Sequence, residues 1–152
     1  MTAPTKASPA FAATSGQLAT FRLDGDLYGV EVEHVQEVLK SQGLTRVPLA
    51  PAAVAGLINL RGQVVTAIEL RERLGRPPRP EGTDAVVIVV RLHGEAVSLL
   101  VDSIADVVDV DAADFEAPPD TLEGQARDLI RGAYKLDGQL LLALDVHKAV
   151  SA

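Results

Sequence analysis

The chain has 152 residues, of which 47% are hydrophobic but only 3% aromatic, so its core must be built from aliphatic side chains. The formal net charge of -7 argues against a nucleic-acid-binding protein and against binding to anionic lipid, because both need a basic face. Cysteine is absent, which excludes disulfides and thiolate ligands and fits a cytoplasmic protein. The longest apolar runs have only the length of a strand, so we expect no direct membrane insertion.

The N-terminal stretch differs in composition from the rest of the chain. Residues 1–16 are rich in Ala, Ser, Thr and Pro and lack the charged start and apolar stretch of a signal peptide, so we expect a disordered tail. We expect one domain over residues 17–150, with a first subdomain at about 17–76 and a second at about 83–150. The proline-rich stretch Arg76–Thr83 would connect them.

Four segments share one design, in which two apolar strands flank a tight turn that contains glycine. A residue followed by glycine between β-rich runs is typical of a two-residue hairpin, because such turns need positive φ. The four predicted turns are Asp24-Gly25, Arg61-Gly62, His93-Gly94 and Asp137-Gly138.

These hairpins also resemble one another in pairs, in the order A-B-A-B. Arg22–Asp26 matches Arg91–Glu95, and Gly56–Gln63 matches Gly132–Gln139. The match after the first pair sets Val32, Val35, Glu37 and Val38 against Val101, Ile104, Asp106 and Val107. A tandem repeat of this kind predicts two similar β subdomains around a pseudo-twofold axis. The sequence leaves open whether the N-terminal strand pairs within its own subdomain or crosses to the other.

Three short helices are predicted between the hairpins. The spacing of Val32, Val35 and Val38 predicts an amphipathic helix over Glu31–Lys40. Leu70–Leu74 should form a turn or two of helix, and Asp145 is placed to cap a last helix over Val146–Val150. The segment from Asp111 to Asp128 is interpreted as a partly mobile loop.

No catalytic or metal-binding motif is recognisable. None of His34, His93 and His147 has a second histidine at i+2 to i+4, so we interpret them as separate surface histidines. There is no phosphate-binding loop, dinucleotide fingerprint or nucleophile elbow. We therefore predict a non-enzymatic protein without a cofactor or a metal, while a small-molecule-binding or enzymatic β protein remains the alternative. The acidic series lacks the loop glycine and closing glutamate of a calcium-binding EF-hand: Asp102, Asp106, Asp109, Asp111 and Asp114.

An ordered set of short motifs across both halves resembles the CheW-like chemotaxis adaptor family. The hairpin Asn59-Leu60-Arg61-Gly62 is the central motif, and Thr66-Ala67-Ile68-Glu69-Leu70 departs from the family pattern, which usually begins there with Pro-Val. The other motifs are Tyr28-Gly29-Val30-Glu31, Val35-Gln36-Glu37-Val38, Thr45-Arg46-Val47-Pro48, Val101-Asp102 and Leu144-Asp145-Val146. The resemblance implies a mostly β fold of two SH3-like five-stranded β-barrel subdomains with a few short helices.

The resemblance also implies a function and partners. Proteins of this family are adaptors that couple methyl-accepting chemoreceptors to the histidine kinase CheA in membrane-associated receptor arrays. The partners expected for this chain are the CheW-like regulatory domain of the kinase and the cytoplasmic tip of the receptors. A scaffold of a related pathway, pilus twitching or gliding motility, is the alternative. Because copies with a net charge of -7 repel one another, we expect a monomer when the protein is isolated.

The same resemblance implies which residues meet these partners. Val32, Val35 and Val38 would face the kinase, although an apolar stripe of this kind more commonly packs into its own core. Glu37 and Arg61 would pair with each other and serve receptor and array contacts, the alternative being two unrelated solvated charges. Four residues of the second half would lie on or near the receptor-facing surface: Val86, Ser98, Ile104 and Val107.

Overall fold

A computed structural model describes residues 16–40 and 43–151, which form twelve strands and three α-helices. The predicted tail lies outside the described residues, except for Gly16, with which the first strand begins. The strands are β1 Gly16–Leu23, β2 Asp26–Glu31, β3 Val35–Lys40, β4 Leu44–Thr45, β5 Val54–Leu60, β6 Gln63–Glu69, β7 Val86–Leu92, β8 Glu95–Val101, β9 Ser103–Val110, β10 Phe115–Glu116, β11 Ile130–Leu136 and β12 Gln139–Leu144. The helices are α1 Leu70–Arg73, α2 Gly124–Leu129 and α3 Val146–Val150.

The strands form two six-stranded sheets, and each sheet takes strands from both halves of the chain. The first sheet has the order β10-β11-β12-β2-β1-β9, and the second has the order β3-β7-β8-β6-β5-β4. The two sheets have equivalent strand orders when each strand is matched to the strand six places along the chain. In this match β3 to β6 of the second sheet correspond to β9 to β12 of the first, and β7 and β8 correspond to β1 and β2. The hairpins β1–β2 and β7–β8 are therefore exchanged, with parallel pairing of β2 to β12 and of β8 to β6. Residues 17–76 and 83–150 thus do not each build one sheet.

Three apolar clusters hold this arrangement together. One cluster, with Phe21 and Ile88 among its fully buried members, takes residues from both sheets and from all three helices. We call it the central core. Two smaller clusters belong to one sheet each, around Val89 in the second sheet and Leu141 in the first. The core is overwhelmingly aliphatic, as the low aromatic content requires.

All four predicted hairpins are confirmed. Their turn glycines have φ between 81° and 88°, and Asp24, Arg61 and His93 also have positive φ, near 51°. The mostly β fold with a few short helices is also confirmed. Each sheet contains six strands rather than five, and strand pairing within the described residues leaves two edges on each sheet.

The predicted helix over Glu31–Lys40 is wrong. A single 3₁₀ turn at Val32–His34 leads directly into β3, which pairs with β7 as the edge strand of the second sheet. The valines at positions 32, 35 and 38 recur at intervals of three, and a β-bulge between Val35 and Glu37 accommodates this spacing in a strand. The extra residue of the bulge brings Val35 and Val38 to the same face, so the strand mimics helical spacing.

The other two predicted helices are confirmed. The last is capped as expected, because the Asp145 carboxylate accepts a hydrogen bond from the Lys148 N–H at 3.2 Å. The segment from Asp111 to Asp128 is more regular than predicted, since it contains a 3₁₀ turn, the short strand β10 and most of α2. Across residues 16–40 and 43–151, every helix is too short to traverse a bilayer.

Candidate functional site

The three valines predicted to face the kinase lie on the edge strand β3 and in the 3₁₀ turn that precedes it, which contains Val32. Val32 and Val35 are half-buried and pack against the central core, whereas Val38 keeps 41% of its surface exposed. Val35 and Val38 pair with Val90 and Ile88 of β7, which both belong to the central core. The valines therefore share one face, but only Val38 offers a large part of its side chain to a partner.

Glu37 and Arg61 form the predicted ion pair. Arg61 donates from Nη1 to Glu37 Oε2 at 2.8 Å, and its Nη2 makes a second, shorter hydrogen bond to Oε1. This bidentate geometry joins β3 to the β5–β6 turn. The hydrogen bond from Arg61 lowers the pKa of Glu37 below its ordinary value, and the Glu37 carboxylate raises the pKa of Arg61 in turn.

The turn that presents Arg61 is fixed by its own side chains. The Gly62 N–H donates to Asn59 Oδ1 at 2.9 Å, and Arg61 adopts a φ of 52°. The Arg61 side chain is 70% exposed while that of Glu37 is 18% exposed. The pair therefore places a guanidinium at the surface, with its carboxylate partner lying deeper.

The edge strand β9 is the pseudo-twofold equivalent of β3 and exposes two apolar residues. Ile104 is 43% exposed and Val107 is 56% exposed. They pair with Phe21 and Ala19 across an irregularity in the register of β1 and β9, at the position that matches the bulge in β3. Both edges thus carry exposed aliphatic side chains beside the central core.

The ion pair itself is confined to the first half of the molecule. In the internal repeat, Glu37 corresponds to Asp106 and Arg61 corresponds to Asp137. Two carboxylates cannot form a salt bridge, so the pseudo-twofold axis relates two edges of similar shape and different charge.

Two further residues predicted to face the receptor lie on the inner strands of the second sheet. Ser98 is fully buried on β8, between Ala67 of β6 and Val89 of β7, so its predicted place on a surface is wrong. The exchange of the hairpin puts β8 inside a sheet with both neighbours present, which the sequence could not show. Val86 is half-buried at the start of β7 and packs against the central core.

A groove of about 920 Å³ lies between the first sheet and the 119–126 segment. Its walls include Leu27, Leu122, Gln139 and Leu142, with Arg22 at one side. None of the predicted receptor-facing residues lines this groove. The predicted site residues are therefore distributed over two sheet edges rather than along this cavity.

Two groups of polar residues were not predicted from the sequence. Arg71 and Asp102 form a bidentate ion pair near the connector, although they lie far apart in sequence. The three histidines come together from separate elements. Neither group has a periodic spacing in the sequence, because each depends on how distant segments pack.

Comparisons with known proteins agree with this geometry. The family model described as the CheW-like domain matches residues 17–152. The chain is 31% identical to the chemotaxis protein CheW of Treponema pallidum, over 90% of this chain and 82% of that protein. It is 29% identical to protein FrzA of Myxococcus xanthus, over 77% of this chain and 73% of that protein.

A solved structure shares the architecture as well. The scaffolding protein TtCheW from Thermoanaerobacter tengcongensis superposes with a TM-score of 0.80 at 28% identity, covering 91% of this chain and 94% of that one. The exchanged double-sheet fold, the internal repeat and the family match agree with one another. The chain belongs to the CheW-like domain family, the family of chemotaxis adaptor and scaffold proteins.

Proposed function

We propose that this protein is a non-enzymatic adaptor that couples methyl-accepting chemoreceptors to a CheA-type histidine kinase in receptor arrays. The observation that carries the proposal is the pair of edge strands, β3 and β9, which expose aliphatic side chains at equivalent positions of the two halves. A molecule with two such edges can hold two partners at once, which is what an adaptor must do.

The exposed edges need a reason, because an uncovered edge strand with apolar side chains invites aggregation. Val38 and Val107 occupy matching positions on the two edges, and they keep 41% and 56% of their surface exposed in the folded chain. Exposed apolar residues at an edge are typical of surfaces that a partner covers. A net charge of -7 keeps free copies apart, so the isolated protein stays monomeric in this proposal.

The two edges receive different partners in the proposal. Val38, supported by Val32 and Val35, faces the CheW-like domain of the kinase. Ile104 and Val107 on β9 face the receptor tip, and the proposal assigns the half-buried Val86, which pairs with Val101 just before β9, to the same surface. The Glu37–Arg61 pair adds a polar contact for receptors and neighbouring array members. The protein would then act in the cytoplasm at membrane-associated arrays.

A matched pair of substitutions tests this division. Val38→Glu should weaken binding to the regulatory domain of CheA by about tenfold or more, because a carboxylate enters an apolar contact, while binding to a receptor-tip fragment is kept. Val107→Glu should show the opposite pattern. Isothermal titration calorimetry with each purified partner measures both affinities.

The two variants act as controls for each other, since they make the same change at equivalent exposed positions. Circular dichroism and melting temperature should stay near the wild-type values for both, because neither side chain is buried. The proposal fails if both variants bind both partners like the wild type. Loss of both partners by either variant would contradict the assignment of one edge to each partner.

A scaffold of a related motility pathway, pilus twitching or gliding, is the second candidate. The observation that favours this second candidate is the similarity to protein FrzA of Myxococcus xanthus, a relative that does not carry the CheW name. The genes beside this one separate the two candidates. Receptor and kinase genes beside flagellar genes support the first candidate, and pilus genes support the second.

A further inference from the structure

All three histidines of the chain meet at one place on the surface. His34 ends the 3₁₀ turn before β3, His93 lies in the β7–β8 turn, and His147 belongs to α3. The ring centres of His34 and His147 are 5.5 Å apart, and those of His93 and His147 are 5.2 Å apart. Three elements that are distant in sequence therefore each contribute one imidazole.

These distances suit imidazoles that share a metal ion. A zinc–nitrogen bond of about 2.0 Å keeps a ring centre about 3 Å from the ion, so two ligating rings of a tetrahedral site stand about 5 Å apart. The rings of His34 and His147 meet edge to face at 82°, and those of His93 and His147 are tilted by 45°. The nitrogens do not converge in this conformation, because among the described residues the one group of three possible ligands within 4.8 Å of one another is Glu31, Glu33 and His34. His93 and His147 are exposed, so rotation of their side chains can turn both rings towards an ion beside His34.

Carboxylates lie beside the imidazoles. Glu31 Oε1 is 3.6 Å from His34 Nε2, close to the separation of about 3.3 Å expected for two ligand atoms of one tetrahedral ion. Glu31, Glu33 and His34 offer ligand atoms that all lie within 4.8 Å of one another. Arg131 Nη1 approaches the same Glu31 oxygen at 3.5 Å and competes with a cation for it. The carboxylates of Glu31 and Glu33 carry two negative charges against the one positive charge of Arg131, so the local charge still attracts a cation.

We propose that His34, His93 and His147, with the carboxylate of Glu31, form a binding site for a divalent transition-metal ion. Imidazole and carboxylate ligands without thiolates suit zinc, nickel and copper(II) rather than magnesium or calcium. The bound ion would tie the segment before β3 to the β7–β8 turn and to α3. This site is independent of the proposed adaptor function, and either can fail without the other.

Zinc chloride titrated into the full chain, purified without a polyhistidine tag, tests the site. Calorimetry should show one zinc ion per chain, and zinc should raise the melting temperature because it binds the folded state preferentially. Each of His34→Gln, His93→Gln and His147→Gln should weaken binding by about tenfold or more and reduce the rise in melting temperature. His93 and His147 are exposed, so their variants should fold even if His34→Gln does not.

Lys148→Gln is the matched control, because it makes a glutamine next to His147 on α3 without removing an imidazole. This control should bind zinc no more weakly than the wild type. The proposal is overturned if the wild type binds no zinc at stoichiometric levels. It is equally overturned if His93→Gln and His147→Gln bind as the wild type does, since the ion would then be held by surface carboxylates.

Discussion

At the scale of single residues, charge distinguishes the two pseudo-equivalent edges more sharply than shape does. The Glu37–Arg61 pair lies on the first edge, whereas the matching positions in the second half, Asp106 and Asp137, are both acidic. An exposed ion pair contributes little to stability, because water screens it and two long side chains lose freedom. We therefore expect the pair to matter for the shape and charge of the surface rather than for stability.

Arg61→Ala should leave the fold nearly as stable as before and reduce receptor binding. The melting temperature should stay within about 3 °C of the wild-type value, because the Arg61 side chain that is removed is 70% exposed. Calorimetry with a receptor-tip fragment and thermal melting by circular dichroism measure the two effects. Exchanging the charges, as Glu37→Arg with Arg61→Glu, is the control and should recover the stability without recovering receptor binding. A large fall in melting temperature with unchanged receptor binding would show the pair to be structural.

Residue-level predictions succeeded where local chemistry or the family motif determined the outcome. The pairing of Glu37 with Arg61 was expected from the CheW-like motif and is confirmed by the bidentate contact. Ser98 was expected at the surface and is buried, because its exposure depends on β6, which comes from the other half of the chain. No local pattern around Ser98 could reveal that neighbour.

At the scale of elements, β3 shows how a strand can imitate a helix. Valines three residues apart share a face in a helix, and they share a face here because the bulge after Val35 adds one residue. The hairpins were predictable because each turn depends on two adjacent residues and on positive φ. The bulge was not, because only its pairing with β7 makes it visible.

Two glycines shared by the repeat allow the short strands β4 and β10 to pair closely with β5 and β11. A Cβ at Gly132 would lie 2.6 Å from the Glu116 carbonyl oxygen and against the Phe115 ring, both on β10. A Cβ at Gly56 would meet the Thr45 carbonyl oxygen on β4 in the same way. The match between these glycines in the sequence thus reflects one packing requirement in both halves.

Gly132→Ala should destabilise the protein by about 1–3 kcal/mol, because the methyl group must displace both the Phe115 ring and the Glu116 backbone carbonyl. Urea denaturation followed by circular dichroism measures the free energy of unfolding. Gly43→Ala is the matched control, since a Cβ at Gly43 meets no atom within 4 Å, and it should change stability by less than about 0.5 kcal/mol. Equal effects of the two substitutions would contradict the close packing of β10 against Gly132 of β11.

At the scale of the whole molecule, a charged network binds the connector to both halves. Arg71 is almost fully buried and donates from Nε to Asp102 Oδ1 at 2.9 Å and from Nη1 to the Pro77 carbonyl at 2.8 Å. Asp102 also accepts from the Asp24 N–H at 2.9 Å and from Arg79 Nε at 3.2 Å. One carboxylate therefore joins the β1–β2 turn, α1 and the connector at the end of β8.

The duplication was readable from the sequence, but this assembly was not. The repeat predicted two related β units because the hairpins match in order. The exchange rests on two parallel pairings, and one of them joins strands more than a hundred residues apart, as Leu27 with Leu141. Pairing over that distance leaves no local pattern, and the same holds for the meeting of Arg71 with Asp102.

Asp102→Asn should weaken the fold in a way that depends on pH. Burial acts to raise the pKa of Asp102, but hydrogen bonds from Arg71 and the Asp24 N–H, with the charges of Arg71 and Arg79, hold it below its ordinary value. A carboxyl whose pKa is lowered by folding stabilises the protein above its unfolded-state pKa of about 3.9 and loses this contribution as the pH falls through the folded-state pKa. At pH 7 we expect Asp102→Asn to lower the free energy of unfolding by about 2–4 kcal/mol. This is towards the low end of what breaking a buried ion pair costs, because the Asp102 side chain is 22% exposed.

Urea denaturation of the wild type and of Asp102→Asn, from pH 7 down to about pH 3, measures this dependence. The difference in unfolding free energy between the two proteins should be constant near neutrality and should shrink below about pH 4, where the carboxyl of the unfolded chain takes up a proton before the folded-state carboxylate, with its lowered pKa, does so. Asp109→Asn, an exposed aspartate on β9, is the control and should change stability by less than about 0.5 kcal/mol throughout. A difference for Asp102→Asn that stays constant down to pH 3 would contradict an electrostatic role. The buried arginine would then be held by packing and by the Pro77 carbonyl rather than by the charge of its partner.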